Sequence, residues 1–206
     1  MQFPRAKLLI FAKAPEPGRV KTRLAPALGF EAAAQLYQQL LIRTVELFSR
    51  TGLCEVECWC APDAQHPLFQ QLAEAHDLEL QVQQGLDLGE RMGFAAQQAL
   101  HTAESVVLIG ADCPVLATGH LLRVLGRLQQ GCDAVLGPAE DGGYVLLGLN
   151  CYHPSLFSDM PWGEDQVLVQ TRVRMERLGW RWEELEPLWD LDRPEDLVRY
   201  RALTAV

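Results

Sequence analysis

Short apolar runs of strand length alternate with amphipathic stretches of helix length along the whole chain, and this alternation constrains the fold more than any other feature. "KLLIFA" at 7–12 and "SVVLIG" at 105–110 are apolar through their centres, as strands covered on both faces must be. Between such runs, the segment 31–50 brings Leu36, Leu40, Leu41, Val45 and Phe48 to one helical face and stops before Gly52, which suits a helix end. Further strands are expected at "EVECWC", "LELQV", "DAVLG", "YVLLGL" and "RWEELE". Helices are expected near 67–75, 89–101, 118–130 and 164–178, with a last one after Pro194. Only a short turn-rich break separates "DAVLG" from "YVLLGL", so that pair should run antiparallel. The pattern predicts an α/β fold with a mixed, mostly parallel sheet. Without repeats, linkers or low-complexity tracts, residues 1–206 read as a single domain.

A net charge of -9 argues against nucleic acid or an anionic membrane as partner, because both need a broad cationic surface. No stretch reaches the roughly 18 apolar residues of a membrane span. The apolar run at 8–12 is short and lacks a small-residue cleavage site, so no signal peptide is read at the start and a cytoplasmic protein is expected. The six cysteines form no C-x-x-C pair and lack histidines at zinc spacing. Cys54, Val56, Cys58 and Cys60 share one face of a period-2 strand, which favours buried thiols over a metal site.

In open α/β sheets, ligands bind beyond the carboxyl ends of the strands, so the residues after each apolar run carry the most information. After the first run comes "KAPEPGRVKTR", with Lys13, Arg19, Lys21 and Arg23 against the single acid Glu16. Pro15, Pro17 and Gly18 keep it from becoming a helix and leave amide N–H groups free, which suits a polyphosphate. A plain solvated basic loop is the alternative. A Walker loop is not: position 13, where its first glycine belongs, is lysine.

"GADCP" sets Asp112 at the end of the central run, where a half-desolvated carboxylate is costly unless it holds a metal or a cation. An N-cap is the competing use, but the next helix signal starts only near Thr118. "EDGGY" places Asp141, Gly142, Gly143 and Tyr144 at a strand entrance, either as a ligand approach or as a hairpin turn. "LWDLDRPEDL" offers Asp190 and Asp192, as caps of a proline-initiated helix or as further carboxylates for a hard oxygen-ligand metal site. A D-x-D pair also occurs in haloacid-dehalogenase phosphatases, but there it follows the first strand.

Taken in order, "FAKAPEPGRVKTRLAPALG", "DLGERM", "LIGADCPVL", "LGPAEDGGYVLLGL" and "LWDLDRPEDL" resemble the DUF2064 family of GT-A-type nucleotide-diphospho-sugar transferases. That family is also similar to the molybdenum-cofactor guanylyl and phospholactate guanylyl transferases. The resemblance implies a three-layer α/β/α sandwich that binds a nucleotide over the first loop and Mg2+ or Mn2+ at the central aspartate. Carried over by position, it implies phosphate and nucleotide contacts from Ala12, Lys13, Gly18, Arg19, Lys21 and Arg23, with Gly89 and Arg91 beside the nucleoside. It implies metal ligation by Asp112 and Asp192, with Asp190 as the substitute. Asp141, Gly142, Gly143 and Tyr144 fall on the acceptor side. Asp112, Asp141 and Lys21 are the expected catalytic residues.

Two departures stand out: "PWGEDQV" replaces the small hydroxyl residues expected after Pro-Trp, and Arg19 stands where lysine is common, which changes donor geometry. The expected activity is glycosyl transfer from a sugar nucleotide to a small acceptor. Nucleotidylyl transfer with release of pyrophosphate and nucleotide binding without turnover are the alternatives. Oligomeric state stays open.

Overall fold

A computed structural model describes residues 1–204. Seven strands form one sheet: β1 (Ala6–Lys13), β2 (Glu55–Ala61), β3 (Glu79–Val82), β4 (Ser105–Gly110), β5 (Ala134–Pro138), β6 (Tyr144–Leu149) and β7 (Trp182–Glu184). Their spatial order is β3-β2-β1-β4-β6-β5-β7. Only β6 runs against its neighbours, pairing antiparallel with both β4 and β5, so the sheet is mixed as its sequence predicts. Strand β7 is shorter than "RWEELE" suggests, because only three residues pair with β5.

The helices are α1 (Ala25–Leu28), α2 (Phe30–Ser49), α3 (Pro67–His76), α4 (Leu88–Leu100), α5 (Thr118–Gln129), α6 (Val167–Arg177) and α7 (Asp196–Thr204). The one-turn α1 has too few residues to show a period in sequence, and α6 begins three residues later than expected. Glu164 is in a turn instead, after the positive-φ Gly163.

Alternation along the central strands builds two cores. Leu8, Ile10 and Val107 face a layer containing Tyr37 and Leu41 of α2, Phe69 of α3 and Leu125 of α5. Leu9, Val106 and Leu108 face Met92 and Ala96 of α4 and Leu168 and Met175 of α6. Because successive strand residues point to opposite faces, a continuous apolar run fills both layers of a sandwich. A third cluster joins Leu24, Ala33, Leu40, Leu191 and Leu197. It ties the turn after the basic loop to the C-terminal segment, and that link sets up the site.

Candidate active site

A cleft of about 460 Å³ opens beyond the carboxyl ends of β1 and β4. Its basic wall comes from the loop after β1. Pro15, Pro17 and Gly18 hold this loop out of regular structure, and Gly18 and Lys21 take left-handed φ values of 78° and 47°. Such a backbone is unusual for lysine and persists only where neighbours hold it. Here the side chain supplies the hold. Lys21 Nζ donates to Asp112 Oδ2 at 2.9 Å and lies 3.7 Å from Asp192 Oδ1, with only 5% of its side chain exposed. Arg23 Nη1 donates to the other Asp192 oxygen at 2.7 Å. Two residues 80 positions apart and a cationic loop thus meet at one point.

Leu191 makes this meeting possible. It is fully buried between two cleft-facing aspartates, and its N–H donates to the carbonyl of Asp112 at 2.9 Å. Its side chain packs with Leu24, directly after the basic loop. Neither Asp190 nor Asp192 caps a helix. Asp196, the first residue of α7, instead ties down the chain that enters the helix: its Oδ2 accepts from the N–H groups of Asp192 and Arg193 at 3.1 and 2.7 Å.

Charge and burial set the protonation states. Burial opposes the charge on Lys21, but Asp112, Asp192 and Asp190 outweigh it and hold the ammonium above the usual lysine range. Burial likewise works against the Asp112 carboxylate, and Lys21 more than reverses this, leaving its pKa below the usual value. Asp190 has no such partner. Burial first, then the charges of Asp112 and Asp141, push its pKa up to about 6.

The donor set suits a divalent cation of the hard, oxygen-binding kind. Asp112, Asp190 and Asp192 all line the cleft, and mutual repulsion that drives one carboxyl towards protonation is relieved by added positive charge. They are not drawn into a closed triad: among the described residues, the three acids within 4.8 Å of one another are Glu55, Glu57 and Glu79, where Lys7 already pairs with Glu57 at 2.6 Å. An open set of one or two carboxylates, with the remaining positions left to phosphate and water, is the arrangement magnesium takes.

Of the residues singled out in the sequence, Ala12, Lys13, Arg19, Lys21, Arg23, Asp112, Asp141, Gly143, Tyr144, Asp190 and Asp192 line the cleft, whereas Gly18, Gly89, Arg91 and Gly142 do not. "DLGERM" opens α4 with Asp87 as its N-cap, accepting from Glu90 N–H, while the Glu90 side chain reaches back to accept from Leu86 N–H. Gly89 is required by close packing, since a Cβ there would collide with the carbonyl of Phe157 and the indole of Trp162. Arg91 braces the preceding turn by donating to Gly85 O at 3.0 Å. Gly142, at φ 91°, lies against the backbone of Asp165. The Asp141–Gly143 stretch does form a hairpin turn, with Asp141 Oδ1 accepting from Gly143 N–H at 3.0 Å, yet it also reaches the cleft.

Other cleft residues had been given no role, and Trp162, Glu164 and Gln83 are the polar or aromatic ones that stand out among them. Trp162 and Glu164 come from the loop before α6, where no sequence period marks them, and Trp162 stands edge-on to Tyr144 at 6.3 Å. Gln83 immediately follows β3. The rule that informative residues follow each apolar run applies to this strand as well, though its short, weakly apolar sequence hides it.

A mixed sheet sandwiched by helices, with phosphate-suited cations and carboxylates at the strand ends, is the GT-A-like fold of nucleotide-diphospho-sugar transferases and cytidylyltransferases. The family model described as an uncharacterized protein conserved in bacteria (DUF2064) matches residues 44–164, and the chain belongs to that family. A protein of Desulfovibrio desulfuricans G20, described provisionally as a nucleotide-diphospho-sugar transferase, has a crystal structure that superposes with a TM-score of 0.87. It is 36% identical and covers 98% of this chain and 89% of its own.

More distant likeness, in fold alone, extends to 4-diphosphocytidyl-2C-methyl-D-erythritol synthase of Anaerococcus prevotii DSM 20548 (TM-score 0.63, 12% identity, 98% and 97% covered). It extends also to glucosyl-3-phosphoglycerate synthase of Mycobacterium tuberculosis in complex with Mn2+, UDP and glucosyl-3-phosphoglycerate (TM-score 0.59, 12% identity, 95% and 75% covered). No curated protein matches the chain in sequence.

Proposed function

We propose that this protein is a metal-dependent transferase that moves a glycosyl group from a sugar nucleotide to a small acceptor. The observation that carries this reading is the convergence of Lys21 with Asp112 and Asp192 at the cleft mouth. Anionic phosphate and a divalent ion need opposite charges side by side, and few other ligands do. Asp112 and Asp192 would hold Mg2+ or Mn2+, with Asp190 as a third oxygen donor. A bound divalent ion supplies neutralisation of the charge that gathers on the departing nucleoside diphosphate.

Lys21 and Arg23 are fixed near the same phosphates by their aspartates, so their charges need no rearrangement as the bond breaks. Asp141 is assigned to the acceptor side, where its carboxylate orients the attacking hydroxyl and takes its proton. The same two cations, paired with Asp112 and Asp192, would also serve a pyrophosphate leaving group, so nucleotidylyl transfer is the second reading. The partners are a sugar nucleotide and a small acceptor. No described helix is long and apolar enough to cross a membrane.

Thermal stabilisation by sugar nucleotides and nucleoside triphosphates, each with and without manganese, tests the proposal. Ligand at 100 times its dissociation constant adds about 2.7 kcal/mol. A manganese-dependent gain that is largest for sugar nucleotides is expected. A larger gain with a triphosphate would move the reaction to nucleotidylyl transfer. Binding without product over prolonged incubation with acceptors would leave a nucleotide-binding module.

A further inference from the structure

Asp141 and Asp190 reach the same cleft from distant parts of the chain. Among the described residues neither makes an ion pair: Asp141 Oδ1 accepts from Gly143 N–H at 3.0 Å, while Lys21 and Arg23 pair with Asp112 and Asp192. Two carboxylates that face one opening repel each other, so their neighbours must hold them in place. The two backbones meet at one point. Leu188 N–H donates to Pro138 O and Glu140 N–H donates to Leu188 O, both at 2.9 Å, and this single pairing of Ala139 with Leu188 ends just before both aspartates.

The residues directly before the aspartates, Glu140 and Trp189, do not line the cleft, and both end on Arg199 of α7. Arg199 Nη1 and Nη2 donate to the two carboxylate oxygens of Glu140 at 2.7 and 3.1 Å. The same guanidinium lies over the Trp189 ring, 4.6 Å from its centre. One planar group thus fixes both chains, by a two-bonded fork on one side and a stacked face on the other, and a lysine offers neither. Docking of α7 does not need this contact. Leu197 already buries itself in the cluster with Leu24 and Leu191, and an ion pair whose side chains are 47% and 51% exposed adds little to global stability. Its use is geometric.

We infer that Arg199 is a positioning residue for the metal and acceptor end of the cleft, clamping the Asp141 turn to the Asp190 segment so that both carboxylates stay aimed at one space. This deepens the proposed function and rests on it. Arg199 acts through Glu140 and Trp189 and touches no reacting atom. The last helix is thereby part of the site's framework, although none of its residues lines the cleft.

Titration of the full chain with Mn2+ alone, read from the paramagnetic resonance of the free ion, tests the inference. Arg199→Met should weaken Mn2+ binding about tenfold, the low end for residues that orient metal ligands. Loss of a cation would by itself tighten Mn2+ binding, so net charge cannot produce that result. Glu140→Gln should weaken binding by a similar factor and Arg199→Lys by a smaller one. Both act through one contact, so the Arg199→Met, Glu140→Gln double variant should bind no more weakly than either single one; an additive loss overturns the clamp. Asp141→Asn should lower Mn2+ affinity about threefold by removing a nearby negative charge, and this effect should vanish in Arg199→Met, where the turn is released. An Asp141 effect that survives there overturns the inference. So does unchanged Mn2+ affinity in the Arg199 and Glu140 variants, even with a lower melting temperature, and Arg199 is then only a staple of α7. If Arg199→Met does not fold, Glu140→Gln and Arg199→Lys decide the question alone. If the wild-type chain does not bind Mn2+, the proposed function fails together with this inference; if it binds and the variants bind equally, the inference fails alone.

Discussion

Lys21 is the residue on which the site turns. It is buried, it adopts a left-handed backbone, and its ammonium touches two carboxylates from distant parts of the chain. Removing one partner of a buried charge group leaves the rest uncompensated. Lys21→Met should therefore cost about 2 kcal/mol of stability at pH 7, below the usual cost of a fully buried pair because Asp112 keeps 35% of its side chain exposed. The loss should shrink in acid. Asp112 has a depressed folded-state pKa, so its contribution is present above the unfolded value near 3.9 and disappears as pH falls through the folded one. Urea denaturation across pH checks this.

Asp190 has the opposite sign. Its folded pKa of about 6 exceeds the unfolded value, so the folded state holds the proton more tightly. The cost to stability begins near pH 4, grows to about pH 6 and is constant above. Asp190→Asn in chelator should thus stabilise the protein by about 1–2 kcal/mol at pH 7.5 and by almost nothing at pH 4. A gain that is the same at both pH values would show that Asp190 is not the strained carboxyl. Under the proposed function, Asp141 acts in the chemistry instead. Asp141→Asn should lower kcat by about 10²-fold or more while sugar-nucleotide affinity, read by thermal shift, stays within twofold.

At the scale of elements, the C-terminal D-L-D segment shows how a structural residue serves a functional pair. Leu191 fills the cluster with Leu24 and bonds to the backbone of Asp112, and this aims its two neighbours at the cleft. Leu191→Ala should cost about 2–4 kcal/mol through the cavity it leaves. It should also weaken manganese-dependent nucleotide binding, though the lost side chain touches no ligand. A stability loss with unchanged binding would separate the packing from the site.

Read in sequence, this segment supports helix capping and metal ligation equally well. The third dimension separates the two uses: the side chain of Asp192 pairs with Arg23 in the cleft, while Asp196 holds the backbone N–H groups of Asp192 and Arg193. "DLGERM" is the reverse case. The family resemblance implies a nucleoside contact there, and the structure uses its residues for a helix cap, a close helix approach and a turn brace, with Leu88 and Met92 lining the cleft and Arg91 the pocket beside it.

Across the whole molecule, stability should be graded along the sheet. The centre consists of β1 and β4, covered on both faces and flanked by paired strands, whereas β3 and β7 are short edges with half-exposed residues. Native-state hydrogen exchange should find the slowest amides in Leu8–Ile10 and Val106–Ile109 and faster exchange in β3 and β7. The cleft lies over the most stable strands, while Trp162 and Glu164 come from the irregular segment before α6. Under the proposed function, the phosphates would rest on the regular strand ends and the acceptor beside the irregular segment.

The sequence by itself determined the alternation of elements, the mixed sheet and the family, together with the stretches from which the cleft is built. It could do so because apolar period and strand-end position are local properties. Only the tertiary structure decided that Lys21 bridges Asp112 and Asp192, that Gly89 packs against Phe157 and Trp162, that Arg91 lines a second pocket adjoining the cleft at Lys13, Arg19 and Gln83, and that Gln83, Trp162 and Glu164 line the cleft itself. Each of those facts depends on contacts between residues far apart in the chain, and no local pattern encodes which distant partner a side chain will meet.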